Sequence, residues 1–197
     1  EGANLSLSLQ LRQSPMAQPT SRENQPVPNV TFRYRENGEW KATDTEKLFK
    51  RGAPPTDSDS VMLLNHKAAI EFLVEAVPRQ GLVVGLVRNL HAVLMQDLLF
   101  DVASLGAIRE QVVNIGGSVY VPTQVPALLH EMAELILEKA RQVKNPVEAA
   151  FFLWVNLAYL QPFEDGNKRV SRLAANVPLM LYNQAPLSFL EVSREDY

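Results

Sequence analysis

The stretch Gln161–Arg172, which reads QPFEDGNKRVSR, decides how this sequence folds. Ahead of it, Asn145 and Pro146 have the pattern of a helix start, because Asn caps a helix and Pro suits the first helical position. The residues that follow, as far as Leu160, are almost all apolar, and this predicts a helix buried on every face. Pro162 ends that helix, since the residue before a proline avoids the α conformation and prefers an extended one.

A second helix is predicted directly after the turn. Gly166 permits a turn that other residues resist, and the new helix starts at Asn167 or Lys168. Free backbone N–H groups and the positive end of the helix dipole make such a start an anion site. Arg169 and Arg172 are three residues apart and share a face of the helix, where guanidinium groups can grip phosphate oxygens.

The acidic residue of the stretch indicates a metal. Asp165 offers a hard carboxylate oxygen, the ligand type that Mg²⁺ prefers beside substrate phosphates. The alternative is an ordinary helix start whose acids and arginines form solvated ion pairs. That alternative explains any one of these residues well, but it does not explain why all of them occur in this order.

The stretch resembles the core motif of the Fic/Doc family, His-x-Phe-x-(Asp/Glu)-Gly-Asn-Gly-Arg-x-x-Arg. The departures are Gln161 in place of the His and Lys168 in place of the second Gly. The resemblance extends over roughly residues 36–192 and includes 64–69, 106–109 and 113–122. The matching motif positions are Phe163, Asp165, Gly166, Asn167, Arg169 and Arg172.

The resemblance implies an all-α, Fic-type helical bundle with a small β-hairpin flap. Fic enzymes typically transfer AMP from ATP to a Ser, Thr or Tyr hydroxyl of a target protein, with Mg²⁺. Asp165 would hold the metal, and Phe163 would anchor the loop in the core. The nucleotide and phosphate would be bound by Gly166, Asn167, Lys168, Arg169 and Arg172. The flap would pin the target segment by strand-like pairing through Ser118, Val119, Tyr120 and Val121; the alternative for this segment is a plain surface hairpin.

Gln161 stands where the family has its general base. A neutral amide has no useful proton affinity near pH 7, and losing a general base typically costs ~10²–10⁴ in rate. Gln161 is either natural to a degenerate branch of the family, the interpretation we favour, or an engineered change, or Glu164 substitutes as the base. AMP transfer would then be impaired or altered.

Two other functions stay open. One is a non-catalytic, nucleotide-sensing interaction module that keeps the phosphate-binding residues. The other is a Doc-like phosphotransferase, because Lys168 stands where that branch has a lysine, although Gly166 follows the pattern of the AMP-transferring enzymes.

A regulatory residue is also predicted from the resemblance. Many Fic proteins are silenced by a helix carrying (Ser/Thr)-x-x-x-Glu-(Gly/Asn), and the family's spacing places that glutamate at Glu36, within an inhibitory segment near residues 31–50. Phe32 stands where the supporting hydroxyl is expected. Glu36 would pair with Arg172, or it is simply a solvated acid.

Composition supports one domain and excludes several classes. The chain has 197 residues, 46% of them hydrophobic, no cysteine and a net charge of −3. We expect an arm or linker at 1–30 and the Fic domain at 31–197. The absence of a basic cluster argues against nucleic acid. The lack of a long apolar run argues against a membrane. A cytoplasmic protein is expected, and a homodimer is left open.

The remaining helices are predicted from apolar spacing, caps and breakers. They are expected at about residues 43–51, 60–76, 86–100 and 125–143. No two histidines have the spacing of metal ligands, so His66, His91 and His130 are expected to be structural.

Overall fold

The structure is a computed structural model that describes residues 55 and 57–187, together with the backbone of two short strands. The chain divides into two units, one formed by residues 1–54 and 188–197 and the other by 55–187. The predicted arm at 1–30, the domain boundary at 31 and the helix at 43–51 lie outside the described residues.

The first unit contains an antiparallel hairpin. Strand β1, Arg33–Glu36, pairs with β2, Glu39–Ala42, with Glu36 opposite Glu39. Glu36 therefore ends a strand, whereas the inhibitory glutamate of the family was expected on a helix. The prediction of a helical setting for this residue is wrong.

The described residues of the second unit form six α-helices joined by turns and loops. A 3₁₀ turn, Val102–Ser104, lies between the second and third helices. The helices are α1 Ser58–Gln80, α2 Val84–Met95, α3 Pro126–Gln142, α4 Pro146–Leu160, α5 Asn167–Ala174 and α6 Asn176–Leu181.

Local chemistry explains where α4 begins. Asn145 accepts hydrogen bonds from the backbone N–H groups of Val147, at 2.9 Å, and Glu148, at 3.4 Å, and Pro146 occupies the first turn. These side-chain bonds satisfy N–H groups that have no partner inside the helix. The predicted start of α4 is confirmed.

The core is formed where α4 packs against α3, α5 and α6, and where α2 packs against α1 and α5. Leu86, Leu90 and Leu153 are fully buried at its centre. Burying each such side chain stabilises the fold by about 1.5–3 kcal/mol. This packing, rather than helix propensity, holds the short helix α5 in place.

The sequence predicts that α4 is buried on every face, but one side of this helix is exposed. Val147, Phe151 and Tyr159 are each more than half exposed. They lie on the side away from the core, so the apolar character of α4 exceeds what the second unit covers. This part of the sequence prediction is wrong.

The expected flap contains no strand. Between Arg109 and Val125 the described backbone is a loop with a turn at Gly116 and Gly117, closed by a bond from the Ser118 N–H to the Ile115 carbonyl at 3.1 Å. The β-hairpin predicted here does not form, because side chains rather than a facing strand satisfy much of the backbone of this loop.

Within the part of the chain that the structure describes, no helix combines the length and the hydropathy needed to span a membrane.

Candidate functional site

Gln161 ends α4 in a left-handed conformation. Its φ and ψ are 49° and 59°, and its N–H bonds to the Leu157 carbonyl at 3.2 Å. An extended residue was expected before Pro162, but the left-handed cap closes the last helical turn with a backbone bond. The side-chain amide donates from Nε2 to the Ala158 carbonyl at 2.5 Å, and the residue is 7% exposed. The amide therefore faces its own helix end.

The loop after Gln161 is closed by one asparagine. Asn167 Oδ1 accepts from the Phe163 N–H at 2.8 Å, and its Nδ2 donates to the Phe163 carbonyl at 2.7 Å. Phe163 is buried and stacks on the ring of His91, with centroids 4.0 Å apart and planes 6° apart. Residues 163–167 thus form a fixed turn whose buried backbone groups are satisfied from within.

His91 supports the same turn from α2. Its Nδ1 accepts from the Gly106 N–H at 2.9 Å, so Nε2 carries the proton and donates to the Asp165 carbonyl at 3.1 Å. Burial, more than the nearby charge of Arg169, lowers the pKa of His91 to about 4. His91 is therefore a neutral, satisfied structural residue, as the sequence predicts, and it ties the turn to the loop around residue 106.

Gly166 is required at the start of α5. Its φ is 73°, in the left-handed region that favours glycine. A Cβ at this position would lie 2.6 Å from Sδ of Met95 and 3.7 Å from Cδ2 of His91. The turn can lie close to α2 only because this residue has no side chain.

Arg169 places its guanidinium beside this turn. Its Nη2 lies 3.6 Å from Oδ2 of Asp165, and its side chain is 24% exposed. Its Nη1 is buried and has no hydrogen-bond partner among the residues that the structure describes. Burial lowers the pKa of Arg169, and Asp165 opposes that effect. Arg172 is half-buried on the same helix.

His66 on α1 also lies beside these arginines, and its proximity to the site could not be read from its sequence context. Burial, together with the smaller effects of the positive charges of Arg169 and Arg172, lowers the pKa of His66 to about 4. A neutral imidazole thus lies next to two guanidinium groups. The local potential is positive, which suits an anionic ligand.

The acidic residues of the stretch differ in accessibility. The Asp165 carboxylate is 67% exposed, whereas Oε2 of Glu164 accepts a bond from the Ser104 hydroxyl at 2.8 Å. No group of three or more metal-ligating side chains occurs among the described residues. One exposed carboxylate still fits Mg²⁺, which commonly takes one or two carboxylates together with phosphate oxygens and water.

The flap residues lie near the end of α4. Val119 and Val121 are well exposed. The rings of Tyr120 and Tyr159 pack edge to face, with their centroids 5.1 Å apart. Tyr159 precedes Gln161 by two residues, so this contact places the loop near Gln161. The predicted flap and motif stretch are therefore neighbours. Glu36 belongs to the other unit, and its side chain lies outside the described residues.

Comparison with known proteins also finds similarity to the Fic/DOC family. Residues 82–179 match the model of the Fic/DOC family. Over 76 residues the chain is 30% identical to the protein adenylyltransferase Fic of Nematostella vectensis, a match that covers 39% of this chain and 18% of that protein.

Three solved structures have the same fold, each with a TM-score of 0.58. Fic-1 of C. elegans is 20% identical, and the match covers 73% of this chain and 43% of that one. A Fic-domain-containing signalling protein of Bacteroides thetaiotaomicron is 23% identical, with coverages of 71% and 56%. A Fic family protein of Desulfovibrio desulfuricans G20 is 18% identical, with coverages of 70% and 42%.

Residues 82–179 therefore form a Fic/DOC family domain. The predicted all-α bundle of the Fic type is confirmed. The match spans about half of the solved relatives and a smaller part of the sequence relative.

Proposed function

We propose that this Fic/DOC domain binds the polyphosphate of ATP at the start of α5 and is nominally a transferase of AMP to a Ser, Thr or Tyr hydroxyl of a target protein. The observation that supports this most is the buried Nη1 of Arg169, which has no partner among the described residues. A buried charged donor without a partner is costly. A phosphate oxygen would satisfy it in a charge-assisted bond.

The roles of the neighbouring residues follow from their places. Backbone N–H groups at the start of α5 would receive the phosphate, and Gly166 would let it approach closely. Arg172 and Lys168 would add positive charge from the same helix. The side chain of Asn167 is used for both backbone groups of Phe163, so we assign its phosphate contact to its backbone N–H.

Asp165 would hold Mg²⁺ through its exposed carboxylate. The bound ion would neutralise phosphate charge and orient the polyphosphate. His91 bonds to the backbone carbonyl of Asp165, and the carboxylate of the same residue stays accessible.

The target would be held by the loop at residues 118–121. Val119 and Val121 are exposed, and an extended target segment could pair with the backbone there as an added strand. The loop lies beside Tyr159 and hence beside the end of α4, where the target hydroxyl must reach the nucleotide.

A second candidate, a nucleotide-binding module without turnover, is favoured by the setting of Gln161. Its amide donates to the Ala158 carbonyl, and an amide does not accept a proton near pH 7. Glu164 is held by Ser104, which argues against its use as a replacement base. Both candidates use the same phosphate site, and they differ only in turnover.

The decisive experiment measures transfer of label from ATP carrying radioactive phosphorus at the α-position, with Mg²⁺, for the unchanged chain and for Gln161→His. If the domain is a disabled transferase, Gln161→His should raise labelling by ~10²–10⁴, the usual contribution of a general base. Binding of ATP with no labelling in either protein would favour the non-catalytic module.

Binding itself is tested separately by calorimetry. Arg169→Ala should weaken ATP binding by about 10- to 100-fold, since a hydrogen bond to a charged group contributes about 1.5–3 kcal/mol. Arg79→Ala is the control, because Arg79 makes an exposed pair with Glu75 on α1. Equal affinities for the two variants would contradict the proposed phosphate site.

Glu36, the last residue of β1, is proposed as a regulator of the site. Glu36→Gly should raise ATP affinity if this residue restrains the site. Unchanged affinity would leave Glu36 as a solvated acid.

A further inference from the structure

Arg109 is a buried arginine outside the motif, and its guanidinium contacts are directed to the flap loop and to the motif. The residue is 4% exposed. Its Nη1 donates to the Gln111 carbonyl at 2.8 Å and to Oε1 of Gln124 at 3.0 Å, and its Nη2 donates to the Thr123 carbonyl at 2.7 Å. These three bonds hold both ends of the loop 111–124 to one side chain.

Gln124 completes the support of the loop. Its Nε2 donates to the carbonyls of Pro122, at 2.7 Å, and Val113, at 3.3 Å, while its Oε1 also accepts from the Val113 N–H at 3.3 Å. A side-chain amide thus makes the bonds that a facing strand would make in a hairpin. The loop has a defined conformation without being a β-hairpin.

The other contacts of Arg109 reach the first residues of the motif. Its Nε donates to the Gln161 carbonyl at 2.6 Å, and its backbone N–H donates to the Pro162 carbonyl at 2.9 Å. Gln161 is the residue whose left-handed conformation ends α4. One arginine therefore bonds both the loop proposed to hold the target and the residue at the position of the general base.

We infer that Arg109 is a positioning residue that fixes the target-binding loop and the start of the motif to each other as one unit. This inference rests on the proposed function for its catalytic meaning, but the coupling of the two segments is a property of the fold alone. The target hydroxyl and the nucleotide would be brought together by segments whose separation this side chain sets.

An arginine suits this task better than a lysine. Its planar fork directs several N–H donors at once, whereas a lysine ammonium is a point charge on a flexible stem. The acceptors in the structure are three backbone carbonyls and one amide oxygen. Burial lowers the pKa of Arg109, whereas hydrogen bonds to carbonyl oxygens favour the charged guanidinium.

The test is amide hydrogen exchange on the full chain without nucleotide or target. The reporters are the N–H groups of Val113 in the loop, bonded to Gln124, and Phe163 in the motif, bonded to Asn167. In Arg109→Lys and Arg109→Gln, we expect both amides to exchange about 10- to 100-fold faster, the factor that corresponds to losing one charge-assisted bond.

Two further variants separate coupling from general loosening. Gln124→Ala removes side-chain support from the loop and one acceptor of Arg109, but it keeps both bonds from Arg109 to the motif. Val113 should therefore exchange faster while Phe163 does not change. Arg141→Lys is the matched control, because Arg141 bonds a single backbone carbonyl, that of Leu82, away from both segments. It should change neither reporter.

The inference is overturned if Arg109→Lys affects Val113 alone, or if it raises exchange equally in α1 and α3. If Arg109→Gln does not fold, Arg109→Lys carries the comparison. In the Gln161→His background, Arg109→Lys should raise the KM for the target about 10-fold or more. A lack of AMP transfer in every variant would count against the proposed function, whereas the exchange result still decides the coupling.

Discussion

Gly166 is a position where a single methyl group should disturb the site. Gly166→Ala adds a Cβ that meets Met95 at 2.6 Å and places alanine at a positive φ. We expect a loss of about 2–4 kcal/mol in the free energy of unfolding, the sum of left-handed strain and overpacking. Urea denaturation measures it. Gly117→Ala is the control, since Gly117 has a φ of 78° and no atom within 4 Å of the added Cβ. Equal losses in the two variants would mean that Met95 moves aside freely.

His91 makes stability depend on pH. Its pKa in the folded state is lowered to about 4, whereas an unfolded histidine titrates near 6.5. As pH falls from 6.5 towards 4, the unfolded chain takes up a proton that the folded chain does not bind, so stability falls with falling pH. One histidine contributes a slope of about 1.4 kcal/mol per pH unit.

His91→Gln should reduce the slope of unfolding free energy against pH by about 1.4 kcal/mol per pH unit, the contribution of one proton. Urea unfolding at several pH values between 4.5 and 7.5 measures the change. His66, whose pKa is lowered to about 4 as well, would keep its own contribution in this variant. An unaltered slope in His91→Gln would show that His91 is not the neutral residue the geometry describes.

At the scale of elements, the turn between α4 and α5 depends on one side chain. Asn167→Ala removes both bonds to the buried backbone of Phe163. Each unsatisfied buried group costs about 1–3 kcal/mol, so the two groups give an expected total loss of about 2–6 kcal/mol. ATP binding should weaken too, because the start of α5 would lose its fixed place.

The control for this variant is Asn145→Ala at the exposed start of α4. It removes a helix cap worth about 1 kcal/mol, and it should leave ATP affinity unchanged. Equal effects of Asn145→Ala and Asn167→Ala on affinity would show that the turn has no special role in binding.

The helices were predictable where their limits are local. Asn145 and Pro146 start α4 as their sequence indicates. Helix α1 was expected to end at about residue 76 but continues to Gln80, where the Gly81 N–H donates to the Val77 carbonyl. Helix α2 was expected to reach about residue 100 but ends at Met95. Its end is held by Asn65, whose Nδ2 donates to the carbonyls of Leu94 and Gln96. That contact joins residues far apart in sequence, so no local pattern could predict it.

The candidate site was predictable to a similar degree. The order of residues in the motif stretch indicated the turn, the helix start and the arginines. The supports of the site, His91, Arg109 and Gln124, were not identified as such, because each acts through contacts with distant backbone groups. The flap was predicted as a hairpin, but it is a loop whose backbone is held by the side chains of Arg109 and Gln124.

At the scale of the whole molecule, residues 55–187 should fold without the rest of the chain. The buried apolar cluster of the described residues, from Ala69 to Val177, lies entirely within this unit. The unit also contains every contact described for the motif turn. A domain of this size with its own core is expected to unfold in one cooperative step.

The fragment 55–187 would also show what residues 1–54 do. We expect a single urea transition and ATP affinity equal to that of the full chain carrying Glu36→Gly, because the fragment lacks the hairpin that contains Glu36. Circular dichroism and calorimetry measure the two properties. Higher affinity in the fragment than in the unchanged chain would assign restraint of the site to the removed residues. Equal affinity in all three proteins would show that phosphate binding by α5 is independent of them. A fragment that fails to fold would mean that the buried cluster needs support from the first unit.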